Sequence, residues 1–117
     1  MKTLTKKESA IMNILWNCEV PMSQNDIAVA HPELNKNTIQ AVLKKLLENG
    51  FIRIETIGYS GTVLTRQYVS NIDQAEYLSE SLSKKSAFLL AERFIRTAEG
   101  EDLAKLEAAL ADRKKEL

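Results

Sequence analysis

Cysteine, histidine, proline and an excess of either charge are all scarce in this chain of 117 residues. Its one cysteine, Cys18, excludes an internal disulfide and a cysteine metal cage, and a lone thiol fits a reducing cytoplasm. Its one histidine, His31, is far from Cys18 in sequence, no glycine-rich loop could cradle phosphates, and no carboxylate pair has a catalytic setting. No catalytic residue, metal ligand or cofactor is therefore expected. No apolar run approaches the roughly 18 consecutive residues of a membrane span. Met1-Lys2-Thr3-Leu4-Thr5-Lys6-Lys7-Glu8 turns polar too early for a signal peptide, so a soluble protein without a membrane partner is expected. Sixteen Lys and Arg against sixteen Asp and Glu leave the net charge at zero, which removes any overall attraction to polyanions. Residues 1–70 carry eight basic against six acidic side chains and residues 71–117 eight against ten, a small asymmetry that permits polyanion binding by the first part.

What is present is a sequence of helical caps followed by a change of period. Apolar residues make up 44%, enough for one domain with an appendage. Thr5-Lys6-Lys7-Glu8 has the form of a capping box, and Ile11, Ile14, Leu15 and Cys18 follow at helical spacing, with Ala10 beside them. Pro21 stops that helix. Ser23-Gln24-Asn25-Asp26 caps a short second helix through Ile27, Ala28 and Ala30, which ends at Pro32. Asn35-Lys36-Asn37-Thr38 caps a third, whose Ile39, Val42, Leu43 and Leu46 form an i, i+3, i+4, i+7 stripe ending at Asn49-Gly50. Phe51 to Ile57 then alternates as a half-buried strand does, Gly58-Tyr59-Ser60-Gly61 reads as a turn, and Thr62 to Val69 is a second β-prone run. Three helices and a hairpin are the parts of a winged helix-turn-helix. The fold class expected is mainly α with a small β-hairpin wing, in residues 1–70, followed by a helical dimerisation region in residues 71–117.

Helical geometry sorts the third helix into two faces. With its apolar stripe inward, Asn37, Ala41, Lys44 and Glu48 point outward, and Thr38, Gln40 and Lys45 lie on the flanks. Asn and Gln can address adenine edges, Lys can reach guanine acceptors or phosphates, and Ala or a Thr methyl can touch thymine. Asn35, Lys36 and the free amides at the helix start suit phosphate. Tyr59 and Ser60 at the wing tip, with Arg66 on the return strand, could touch the backbone or a neighbouring minor groove. A polar helix face is also an ordinary solvated surface, and winged helices serve as protein-interaction modules. The alternative is therefore a protein-interaction module without sequence-specific DNA binding.

After Ser70 the cap Asp73-Gln74-Ala75-Glu76 opens a helical run to about Ala98, some 39 Å long at 1.5 Å per residue. Leu78, Leu82, Leu89, Phe94 and Ile95 are its main apolar residues. Gly100 interrupts, and Leu103, Leu106 and Leu110 mark a last helix. A helix this long would run past a small winged domain and expose its stripe, so these leucines, with Phe94 and Ile95, are read as the seam of a homodimer. Trp16 reads as a packing anchor, Cys18 as a small buried hydrophobe and His31 as a surface residue.

Two stretches carry a family resemblance. Leu4-Thr5-Lys6-Lys7-Glu8-Ser9-Ala10-Ile11-Met12-Asn13-Ile14-Leu15-Trp16 resembles the opening of the penicillinase-repressor family, also called BlaI/MecI/CopY. Thr38-Ile39-Gln40-Ala41-Val42-Leu43-Lys44-Lys45-Leu46-Leu47-Glu48-Asn49-Gly50-Phe51-Ile52 resembles its recognition helix and the start of its wing. The likeness runs over about residues 4–70 and is looser beyond. It implies a cytoplasmic homodimeric repressor of resistance or metal-homeostasis genes on a palindromic DNA operator, with Asn37, Thr38, Gln40, Ala41, Lys44 and Lys45 as readers. Two-fold pairing would set the recognition helices about 34 Å apart, or a multiple of that. Departures from the family pattern concern signalling. The stretch Leu110-Ala111-Asp112-Arg113-Lys114-Lys115-Glu116-Leu117 has no cysteine cluster of the copper-responsive kind. Arg93-Phe94 stands where β-lactam-responsive members have an Asn-Phe bond that is cut on induction, so a membrane sensor protease is the least supported partner. The return strand reads Thr65-Arg66-Gln67-Tyr68 where the family usually has Tyr-Arg-Pro.

Overall fold

The structure is a computed structural model that describes residues 1–60 and 63–117, with the side chains of Thr56, Tyr59, Ser60 and Val63 outside that description. Among the described residues the elements are α1 (Lys6–Trp16), β1 (Met22–Ser23), α2 (Gln24–Ala30), α3 (Lys36–Glu48), β2 (Ile52–Ser60), β3 (Val63–Ser70), α4 (Gln74–Ser81), α5 (Lys84–Thr97) and α6 (Gly100–Glu116). They divide into a unit Met1–Leu78 and a unit Ser79–Leu117.

The three caps read from the sequence start the first three helices. Thr5 Oγ1 accepts from the Glu8 amide at 3.2 Å while Glu8 Oε1 accepts from the Thr5 amide at 2.9 Å. Ser23 and Asp26 make the same reciprocal pair, at 3.1 and 2.9 Å. Asn35 Oδ1 accepts from the Thr38 amide at 2.8 Å. The stripes these helices carry close one core: Leu4, Ile11, Met12 and Leu15 from the first, Ile27 from the second, and Ile39, Val42, Leu43 and Leu46 from the third. Phe51, Ile52, Tyr68 and Ile72 complete it. Met12, which the sequence reading left out of the stripe, is fully buried, while Ile14 is only partly so. Gly50 takes φ 78°, the left-handed exit from α3 that glycine adopts without a steric penalty.

Several boundaries differ from expectation. α1 ends at Trp16, short of Cys18, because Asn17 caps it: its side-chain amide donates to the Asn13 carbonyl at 2.7 Å. Cys18 lies beyond the helix and is half-buried. The wing is three-stranded, in the order β1-β3-β2, since Met22 and Ser23 pair with Tyr68 and Gln67. β2 continues through Gly58, Tyr59 and Ser60, which pair with Thr65, Leu64 and Val63 rather than turning. The expected turn at Gly61 and strand start at Thr62 fall outside the described residues. Between Ile54 and Thr56 the register shifts and leaves Glu55 as an extra residue on β2. Alternation is lost there: Ile52 is buried, but Ile54 and Ile57 are 40% and 60% exposed.

The first unit reaches Leu78, past the boundary at residue 70. Ile72 is buried, Trp16 Nε1 donates to the Ile72 carbonyl at 2.8 Å, and the Leu4 amide donates to the Tyr77 hydroxyl at 2.9 Å. The Tyr77 ring lies 5.7 Å from that of Trp16 and 6.1 Å from that of Phe51. Aromatic packing and two hydrogen bonds thus tie Ile72 and the first turn of α4 to the winged core.

The expected single helix to Ala98 is two helices. Ser83 interrupts it, with extended backbone and a hydroxyl accepting from the Ser86 amide at 3.1 Å. The final helix includes Gly100, expected as the interruption, as its first residue, because the break falls at Ala98 and Glu99, both in extended backbone. Within Ser79–Leu117 no residue of α5 or α6 is buried.

Candidate nucleic-acid interface

The polar face of α3 is presented by the way its apolar face is held. Ile39 and Leu46 are fully buried, Leu43 and Val42 nearly so, and this fixes the helix in rotation about its axis. Asn37, Gln40, Ala41, Lys44 and Lys45 are consequently exposed, and Thr38 is half-buried on the flank. Asn35 stands at the N-cap and Lys36 in the first turn, both exposed. Four amides at such a helix start lack intrahelical partners. Asn35 satisfies one, leaving donors and the positive end of the helix dipole facing outward. The side chains of Asn37, Gln40, Lys44, Lys45 and Arg66 make no hydrogen bond or ion pair among the described residues, so their polar groups remain available to a ligand.

α3 and the wing together form an open groove of about 660 Å³. α3 lines it with Asn37, Gln40, Ala41, Leu43, Lys44 and Leu47, β3 with Thr65, Arg66 and Tyr68, and α2 with Gln24. Its lining contains no carboxylate, so Lys44 and Arg66 give it a positive charge that the whole chain lacks. The structure therefore brings Arg66 to the same concavity as Asn37, Gln40, Ala41 and Lys44. Asn35, Lys36, Thr38 and Lys45 lie on α3 or its cap but outside the groove lining. The side chains of Tyr59 and Ser60 lie outside the described residues.

Four groove residues were not singled out in the sequence: Gln24, Leu47, Thr65 and Tyr68. Gln24 opens α2, and its side-chain amide donates to the Lys36 carbonyl at 3.2 Å, bridging the start of α2 to the start of α3. Its place directly after the Ser23 cap was the available signal. Thr65 carried no signal, because its position depends on β3 folding back beside α3. The base of the wing is anchored by a polar chain. Asn71 Nδ2 donates to the Gly50 carbonyl at 3.1 Å, and the Arg53 guanidinium donates to Asn71 Oδ1 at 2.8 Å and to Glu55 at 3.1 Å. These bonds link the exit of α3 to both ends of the hairpin, which holds wing and helix in register.

Below this surface, Glu8 is 2% exposed and both its oxygens accept from Lys2 Nζ, at 2.9 and 2.8 Å. Burial by itself would raise the pKa of this carboxyl. The hydrogen bonds from Lys2 and Thr5 and the Lys2 charge outweigh burial, and the carboxyl sits below its ordinary range. Trp16 is an anchor of the core, as expected. His31 is half-buried at the end of α2 rather than on the surface; its Nδ1 lies 2.9 Å from Glu33 but outside hydrogen-bond geometry.

The penicillinase repressor family model matches residues 4–112. The chain belongs to that family. It is a DNA-binding transcriptional regulator, a member of a family of regulators rather than of enzymes. No curated protein matches the chain. Solved structures similar to it include a MepR variant from S. aureus bound to an oligodeoxyribonucleotide, 17% identical, covering 97% of this chain and 79% of that one with a TM-score of 0.52. PadR from Bacillus subtilis in complex with operator DNA is 22% identical, over 93% of this chain and 70% of that one, with a TM-score of 0.51. S. aureus MepR in a DNA-binding conformation is 16% identical, over 97% and 80%, also at 0.51. At these identities the likeness shows the shared winged-helix fold. Among the described residues no helix is long and apolar enough to cross a membrane.

Proposed function

We propose that this repressor acts in the cytoplasm as a homodimer on a palindromic operator, with α3 of each copy in the major groove and the wing against the flanking backbone. The observation that carries the reading is the unpartnered polar face of α3, lining a groove to which β3 supplies Arg66. Asn37, Thr38, Gln40, Ala41, Lys44 and Lys45 would meet base edges or nearby phosphates; Asn35, Lys36, Gln24 and Arg66, with Tyr59 and Ser60, would position the protein on the backbone. Leu78, Leu82, Leu89, Phe94, Ile95, Leu103, Leu106 and Leu110 would lie in the dimer seam. Support for pairing comes from exposure: Leu89, Phe94 and Leu110 are each more than half exposed, and so are Phe88 and Leu90 beside them on α5. So much apolar surface on two helices destabilises an isolated copy in water. Residues 1–70 would read DNA and residues 71–117 would pair the copies. Arg93-Phe94 offers no Asn-Phe bond, so cleavage there by a membrane sensor protease has no place in this reading.

The test uses duplexes that the wild-type chain enriches from a random pool. Gln40→Ala and Lys44→Ala should each weaken specific binding by about 1–3 kcal/mol in a gel-shift titration. Unchanged affinity in both would remove α3 as the reader. The zero net charge and the apolar part of the groove lining favour a second reading, in which the same surface binds a protein. Salt dependence separates the two, because neutralising phosphates makes log affinity fall steeply with log salt.

A further inference from the structure

The charged residues of α6 are sorted by position, and that order specifies how two copies of this helix meet. Leu103, Leu106 and Leu110 on this 17-residue helix, with Leu117 at its C-cap, recur at spacings of three, four and seven, the pattern of a coiled-coil seam. Leu110 and Leu117 are 56% and 86% exposed, and α6 buries no residue. At 100° per residue, Glu99 falls on the leucine face at the start of the helix and Asp102 beside it. Arg113 and Lys114 flank the same face at the far end. Glu101 and Lys105 lie on the opposite face, paired within the helix at 4.0 Å. Arg113 reaches back to Glu116 at 3.1 Å, while Lys114 makes no ion pair among the described residues. Glu107 flanks this face as closely as Asp102 does, so the leucine face is acidic over its first half and basic at its end. Side by side in the same direction, two such faces would set acid against acid and base against base. Reversed, they set each acidic end against a basic one.

We infer that α6 pairs antiparallel with α6 of a second copy, across the two-fold axis of the dimer, through the leucine face flanked by these charges. The inference rests on the homodimer reading above and adds the orientation of one helix within it. The helix dipole offers a competing account of the same charges, since acids at a helix start and bases at its end stabilise an isolated helix. Charge exchange in the full-length chain separates the two. Glu99→Lys with Asp102→Lys, and separately Arg113→Glu with Lys114→Glu, should each weaken dimerisation about ten-fold at low salt. The combined exchange, and an equimolar mixture of the two half-exchanged chains, should both recover to within about three-fold of wild type. Sedimentation equilibrium reads the dissociation constants, and far-ultraviolet circular dichroism confirms that the helices persist. Half-exchanges that leave dimerisation unchanged would overturn the antiparallel pairing but leave the dimer. A combined exchange weaker than either half would assign the charges to the helix dipole and overturn it likewise. A wild-type chain that stays monomeric would instead remove the dimer itself.

Discussion

The winged unit and the C-terminal helices devote the same fraction of their length to leucine and isoleucine together, to opposite ends. In Met1–Leu78 the apolar stripes of three helices converge, and Ile11, Met12, Ile27, Ile39 and Leu46 are fully buried. In Ser79–Leu117 the stripes of α5 and α6 bury nothing completely, and Phe88 is 66% exposed. An amphipathic helix is stabilised chiefly by covering its apolar face, so the first unit can fold on its own contacts, whereas in the second the proposed pairing of copies would supply that cover. Stability and assembly should therefore respond to substitutions in different places.

The sharpest way to break this contrast is to empty the core. Ile39→Ala removes a fully buried side chain and should cost about 2–5 kcal/mol of unfolding free energy, read by denaturant titration. A cost near that of an exposed substitution would mean that the winged unit has no tight core beneath α3. Next in size, Phe94→Ala should weaken dimerisation by about 2 kcal/mol, measured as a dissociation constant, and leave DNA recognition by each winged unit intact. An effect on monomer stability in its place would put α5 in a monomer core and erase the distinction between the regions.

The smallest effect concerns acid, and it too should belong to the first unit alone. Glu8 is held ionised by Lys2 and the Thr5 cap, so its folded pKa lies below its unfolded value. A depressed carboxylate adds stability that is complete above the unfolded value, about 4.3, and is lost as pH falls through the folded one. Wild type should be more stable than Glu8→Gln at neutral pH, with the difference closing below about pH 4. A constant gap across that range would assign the effect of Glu8 to packing rather than charge.

Much of the reader was legible because it rests on local rules. Thr5, Ser23 and Asn35 each cap a helix through bonds reaching three residues ahead, and the α3 stripe sorts buried from exposed positions by rotation alone. Where local signals were weak, the structure departs from what neighbouring residues imply. Two residues, Met22 and Ser23, carry no strand periodicity, and their pairing with β3 depends on a segment more than forty positions away. The break at Ser83 was hidden by leucines on either side that continue one apparent stripe, although Ser83 itself has the composition of a cap. The bulge at Glu55 shows only as lost alternation once the partner strand is in place.

Neighbouring residues alone thus determined three capped helices, their inward and outward faces and the polar set on α3, since each follows from torsional preference and periodicity within a few turns. Tertiary contacts decided the rest. Arg66 shares a groove with Lys44 because β3 folds back beside α3, and Tyr77 extends the first unit because its hydroxyl finds the Leu4 amide. Such encounters join positions far apart along the chain, and no short-range preference encodes a distance between them.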